Sequence, residues 1–280
     1  NPCHEGVLIR NSIDLSQTGL RHITIDGAWG IPYYIPTVFQ WRYGAMVIDG
    51  ASPTLRDIEF IDINTSSLLT TNLAQPTLIG GEYSVGVDEE SDVRGSAVQI
   101  YSSGTPVTPL TLESPTFIGT NVGCSRQAPS RPVVWAEDTF IEIDSATVNV
   151  GDYGFSLRHS SGTITNSDLT VNCNGIDINS RKSVSNVDYP VDVAFNDITT
   201  GDGAPITVFS GGLATIESNN LQGAAESSGL AVESSEVVIT GNDIGPIGGW
   251  NGLWLLGSFD VIAQNNNIHD TTREPIRAGE

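Results

Sequence analysis

The chain has 280 residues, with 33 Asp and Glu against 12 Lys and Arg, for a formal net charge of −21. Only one of the cations, Lys182, is a lysine. Such a surface repels nucleic acid and anionic lipid, which argues against both as partners. No run approaches the roughly 18 apolar residues of a membrane span, so no membrane insertion is expected. Self-repulsion of this strength suits salty water, where counter-ions screen it within about 10 Å. A site of action outside the cytoplasm, extracellular or at the cell surface, is therefore expected. The chain opens at Asn1 without a Met and closes at Glu280 inside what reads as another repeat. We read residues 1–280 as one domain, part of a longer chain.

The predicted elements recur in chain order. An apolar residue, two further residues, a bend residue, one residue and a second apolar residue appear as Leu20…Ile23…Ile25, Leu55…Ile58…Phe60, Leu73…Pro76…Leu78 and Leu112…Pro115…Phe117. The series continues as Ile143…Ala146…Val148, Ile164…Ser167…Leu169 and Val193…Asn196…Ile198. It ends in three open copies: Ile216-Glu-Ser-Asn219-Asn-Leu221, Ile239-Thr-Gly-Asn242-Asp-Ile244 and Ala263-Gln-Asn-Asn266-Asn-Ile268. A second element precedes each copy, a small residue followed by apolar–any–apolar, as in Gly154-Phe155-Ser-Leu157 and Gly252-Leu253-Trp-Leu255. Short alternating apolar runs broken by Gly and Asn are strand signals, and no stretch keeps a helical period.

A lone coil of about 22 residues cannot stand by itself. It buries perhaps six apolar side chains at roughly 1.5–3 kcal/mol each, less than the ~1–2 kcal/mol per residue that ordering its backbone costs. Stacking resolves this, because each strand then pairs with its equivalents above and below. The predicted fold is therefore all-β, a right-handed parallel β-helix solenoid of about ten coils. Asn196, Asn219, Asn242 and Asn266 should form a ladder, with each Asn taking the left-handed backbone conformation at its bend.

These repeats resemble the pectate-lyase-like superfamily of parallel β-helices. The resemblance covers nearly the whole chain and rests on the coil repeat, with no specific enzyme family matched. It implies three strands per coil and substrates bound along the first strand and the loops beside it. Members include polysaccharide lyases, polygalacturonases, epimerases, phage tailspikes, adhesins and surface-layer modules. Asn172-Cys-Asn-Gly-Ile-Asp177 departs from the polygalacturonase N-T-D-G motif, since Cys173 stands for its Thr and Asn174 for its Asp.

Three long connections, 26–44, 80–96 and 119–131, are expected to wall the groove over the first strand. The first carries Trp29, Tyr33, Tyr34, Phe39, Trp41 and Tyr43, which read either as a carbohydrate platform or as a small satellite core. The second carries Glu82, Asp88, Glu89, Glu90 and Asp92; it is either a Ca²⁺ site or a solvated acidic loop. No other cofactor is expected. The third holds Cys124. Cys173 ends the corresponding strand two coils later, about 10 Å away, so a Cys124–Cys173 disulfide and free thiols are both open readings. No role is read for Cys3.

Reading the first strand by register places one outward column at Val134, Ser156, Asp177, Thr207, Ala231 and Trp254. The next runs Ala136, Arg158, Asn179, Phe209, Glu233 and Leu256. Around coils five to seven this gathers Glu137, Asp138, Arg158, His159, Asp177, Arg181 and Lys182. A lyase needs a base beside an α-proton and something to neutralise the uronate. Arg158 or Lys182 could be that base, and Asp177 could bind a metal. Glu137 and His159 would contact the glycan. The competing reading is a surface ion pair between Arg158 and Asp177, with Lys182 pointing into solvent. The function expected is a non-catalytic extracellular β-helix module, structural or glycan-binding, whose partners are polysaccharide or other copies of a surface assembly. The alternatives are a polysaccharide lyase or glycoside hydrolase, and a tailspike-like or filament-forming subunit.

Overall fold

The computed structural model describes residues 6–10, 19–28, 30–37, 39–61, 63, 65–84, 96–119, 132–150, 153–179, 190–224, 227–257 and 260–279. These residues form a right-handed parallel β-helix with no helical element, so no helix in them is long and apolar enough to cross a membrane. Three sheets run its length, of 12, 10 and 10 strands, and consecutive strands visit the first, second and third sheet in turn. That makes ten coils, closed by an extra first-sheet strand, Ile276–Gly279. We number coils by their first-sheet strand. Coil five begins at Pro132–Glu137, six at Tyr153–Arg158, seven at Ile176–Asn179, eight at Ile206–Phe209, nine at Leu230–Glu233 and ten at Leu253–Leu256.

Alternation along each strand sends one set of side chains inward, and the inward set forms one continuous core from Met46 to Leu253. An aromatic stack runs through it. Phe60, Tyr83 and Phe117 of the third sheet follow one another with ring centroids 5.5 and 5.7 Å apart, and Phe117 meets Phe155 of the first sheet at 6.0 Å. Coils approach closely where the sequence carries Gly: a Cβ on Gly154 would lie 2.1 Å from the Gly175 carbonyl oxygen on the next coil.

The Asn ladder forms. Asn196 accepts from the Ser167 amide at 2.9 Å, and Asn219, Asn242 and Asn266 each accept from the amide and the side-chain NH₂ of the Asn before. The left-handed residue, however, is the one preceding each Asn. Phe195, Ser218, Gly241 and Asn265 carry the positive φ, so the Asn keeps an ordinary backbone and spends its side chain on the neighbouring coil.

A second ladder stands at the turn between the first and second sheets. There the Ser103 amide meets Thr139 Oγ1 at 3.4 Å, and the Thr139 amide meets Ser160 Oγ at 3.2 Å.

Two registers differ from the expectation. Coil three's bend is Leu78…Gly81…Tyr83, not Leu73…Pro76…Leu78. Leu78 pairs with Leu55 and Leu112, Tyr83 pairs with Phe117, and Leu73 is 65% exposed with positive φ. Glu82 accordingly lies in a third-sheet strand, Glu82–Ser84, and not in a loop. In coil five Val134 and Ala136 face the core, fully buried, whereas Trp135 pairs with Ser156 and Glu137 with Arg158. Apolar side chains occupy both faces of Val133-Val134-Trp135-Ala136, which leaves a period of two ambiguous.

Candidate functional site

The outer face of the first sheet changes character along the solenoid. In coils two to four it is covered: Val47, Leu69, Gln99 and Tyr101 lie outward yet buried. Part of the cover is an antiparallel hairpin, Ile31–Ile35 with Gln40–Asp49, built from the first aromatic connection. Its alternation sorts the aromatics. Ile31, Tyr33 and Ile35 pack against Val47, Leu69 and Tyr101 as a satellite core. Tyr34 and Trp41, directly opposite each other, stack 5.5 Å apart on the free side, with Trp41 60% exposed and Tyr43 half-buried. Trp29 lies outside the described residues.

The hairpin is pinned at two points. Arg42 Nε donates to Tyr101 Oη at 2.9 Å, and Tyr101 in turn donates to Gln99 at 3.2 Å. Asp49, 8% exposed, accepts from Tyr33 Oη at 2.6 Å, Arg10 Nε at 3.0 Å and Asn72 Nδ2 at 2.5 Å. Burial pushes the Asp49 carboxyl up, but the bonds from Tyr33 and Asn72 and the Arg10 charge outweigh it and hold the pKa below the ordinary range. Burial and the Asp49 bond push the Tyr33 phenol up.

From coil five the face opens. Its floor is small or short, Ser156, Thr207 and Ala231, and its aromatics are Trp135, Phe209 and Trp254. Five sheet steps, about 24 Å, separate Trp135 from Trp254. The Arg158 guanidinium lies 4.3 Å from the Trp135 ring centroid, and Trp135 Nε1 donates to Glu137 at 3.3 Å. At the far end Trp254 packs edge-on to Trp250, which carries Arg273 over its ring at 4.9 Å. His159 faces Asp138 at 3.6 Å in the adjoining turn.

Asp177 sits opposite Ser156 and Thr207. It accepts from Thr207 Oγ1 and, at 2.9 Å, from Asn174 Nδ2. Its side chain keeps some exposure. Even so, crowding around the carboxyl raises its pKa above the ordinary range, against both hydrogen bonds and the Arg158 charge. The expected Arg158–Asp177 ion pair does not form. The two residues stand diagonally on neighbouring strands, Asn179 is the residue opposite Arg158, and Arg158 takes the Trp135 face instead. Asn179 Oδ1 is buried with no hydrogen-bond partner among the described residues.

Lys182 and Arg181, proposed beside this face, lie outside the described residues, as do Asp88, Glu89, Glu90 and Asp92 of the Ca²⁺ expectation. Among the described residues no group of His, Cys, Asp and Glu has the arrangement of a metal site.

Cys173 is buried and disulfide-bonded, which removes the free-thiol reading for this residue. Its candidate partners, Cys3 and Cys124, both lie outside the described residues. Cys3 precedes the coil-one strand, six sheet steps or about 29 Å from coil seven, whereas Cys124 precedes coil five, two steps away. Non-reducing peptide mapping is expected to recover Cys124 joined to Cys173; a Cys3–Cys173 peptide would refute this pairing.

No family model and no curated protein sequence matches the chain. Among solved structures, a point mutant of the periplasmic alginate epimerase AlgG overlays with a TM-score of 0.35 at 12% identity. The unmutated AlgG structure gives 0.31 at 11%, and both alignments cover 84% of this chain and 75% of the other. The likeness is one of solenoid architecture alone.

Proposed function

We propose that this protein is a non-catalytic glycan-binding module of a secreted or cell-surface protein, gripping a polysaccharide along the outer first-sheet face from coil five to coil ten. The observation that carries the reading is Asn179 Oδ1, a buried acceptor without a partner among the described residues, opposite Arg158 where it covers Trp135. An orphaned buried acceptor costs about 1–3 kcal/mol, which a sugar hydroxyl donating to it would recover. Phe209 and Trp254 supply flat apolar faces for sugar rings, Trp135 stands part-exposed at the near end with Arg158 over its ring, and the short floor between them gives room. Arg158 adds donors for hydroxyl or carboxylate oxygens.

A second reading, polysaccharide lyase or hydrolase, draws on Asp177, a carboxyl on this face whose pKa is raised by the crowding around it, the direction that suits a general acid. Incubation with a panel of neutral and uronic polysaccharides separates the two. Retention of at least one polysaccharide in affinity gels, with no new reducing ends and no absorbance growth near 235 nm, is the expected outcome. New chain ends that vanish in Asp177→Asn would establish the enzyme instead.

A further inference from the structure

We propose that the outer face of the second sheet carries a separate binding site, for a small organic cation. A groove of about 430 Å³ lies there, within the roughly 300–1,000 Å³ of small-molecule sites. Its floor is contributed by the Phe140–Asp144, Ser161–Thr165 and Pro190–Ala194 strands. Its wall is the Thr105–Pro109 turn, which contributes Thr105, Pro106 and Pro109. That turn is closed on itself: the Thr105 amide donates to the Thr108 carbonyl at 2.9 Å, and the Thr108 amide donates to Thr105 Oγ1 at 3.0 Å. Two prolines stiffen it further, so the wall is preformed.

The chemistry of the groove is divided. Phe140 and the three prolines Pro106, Pro109 and Pro190 offer an apolar bed. Glu142 and Asp192 stand in one column with Thr163 between them, so their Cα atoms are about 9.6 Å apart. Both side chains are exposed, and among the described residues neither is in an ion pair. Among the described residues no Lys, Arg or His lines the groove. An anion would meet two carboxylates in a chain of net charge −21, and a neutral ligand would use only the apolar half. An ammonium or guanidinium on an apolar body answers both halves, with its head between the carboxylates and its body on the apolar bed. The groove lies on a different sheet from the proposed glycan face, so the two assignments stand or fall separately.

Saturation-transfer NMR with benzylammonium as probe, and benzyl alcohol and phenylacetate as neutral and anionic isosteres, tests this. Benzylammonium should bind about five- to tenfold more tightly than benzyl alcohol, the sum expected of two exposed charge contacts, with phenylacetate weaker still. In Glu142→Gln/Asp192→Asn the preference should collapse to about one, at an unchanged thermal midpoint, because both side chains point into solvent. Displacement of the probe by glucosamine would assign an amino-sugar source for the cation, and displacement by arginine amide a guanidinium source. Equal binding of benzyl alcohol, or a preference that survives in the folded double variant, overturns the proposal.

Discussion

Replacing Asn242 by Leu should destabilise the solenoid by about 3–5 kcal/mol, a large share of the ~5–15 kcal/mol that holds an ordinary domain together. Asn242 Oδ1 accepts from the Asn219 amide at 2.9 Å and from Asn219 Nδ2 at 3.0 Å, while its own Nδ2 donates to the Ile216 carbonyl at 2.9 Å and to Asn266 Oδ1 at 2.9 Å. Leu removes these four bonds and a fifth, from Asn242 Nδ2 to the Thr240 carbonyl at 3.2 Å, and leaves the Asn219 amide, a buried donor, without that partner. Asn266→Leu serves as the internal comparison. Asn266 is the last rung and lies in the exposed final coil, where water can replace what is lost. Its cost should be about half as large. Urea unfolding followed by circular dichroism measures both; equal midpoint shifts would mean that the ladder is not what stabilises the central coils.

Asp49→Ala should release the aromatic hairpin, at a cost of about 2–4 kcal/mol, because it strips the acceptor from the Tyr33 phenol and from Asn72 at once. Arg10 contributes little to that figure, since its side chain is 56% exposed. The same contact carries a pH dependence with a definite sign. The folded Asp49 pKa lies below the unfolded value of about 3.9, so the stabilisation is complete above that value and is lost as pH falls through the folded pKa. Hydrogen exchange of the 31–44 amides should therefore accelerate in Asp49→Ala at neutral pH, and in the natural chain only below about pH 4. Hairpin protection unchanged in the variant would show that the Tyr101 contact and the satellite core suffice.

Much of this architecture was legible because a solenoid repeats its constraints. Asn219, Asn242 and Asn266 recur at near-constant spacing, and only a stacked ladder gives them a common role. Coil three was illegible for the same reason in reverse. Gly81 stands where the Asn would be, Tyr83 where a small aliphatic residue is usual, and Leu73 imitated the missing apolar position from an exposed turn. The Ser103–Thr139–Ser160 ladder carries no sequence signal, since Ser and Thr are common on every exposed turn.

The site was half legible. Register alone put Arg158 and Asp177 on one face of adjacent strands. The slip at Val134 hid Trp135 from that face, and with it the partner that draws Arg158 away from Asp177. The unpartnered oxygen of Asn179 depends on everything packed around it, and no pattern of residues announces it.

Affinity electrophoresis of Asn179→Leu and Trp135→Ala, in gels holding the polysaccharide that retards the natural protein, tests the glycan-binding account most directly. Trp135→Ala should weaken retention by about tenfold or more, the usual loss when a central aromatic anchor is removed. Asn179→Leu should weaken it too, yet leave thermal stability equal or higher, since the replaced oxygen has no partner among the described residues. A structural role for Asn179 would lower stability instead. Retention unchanged in both folded variants would contradict the account.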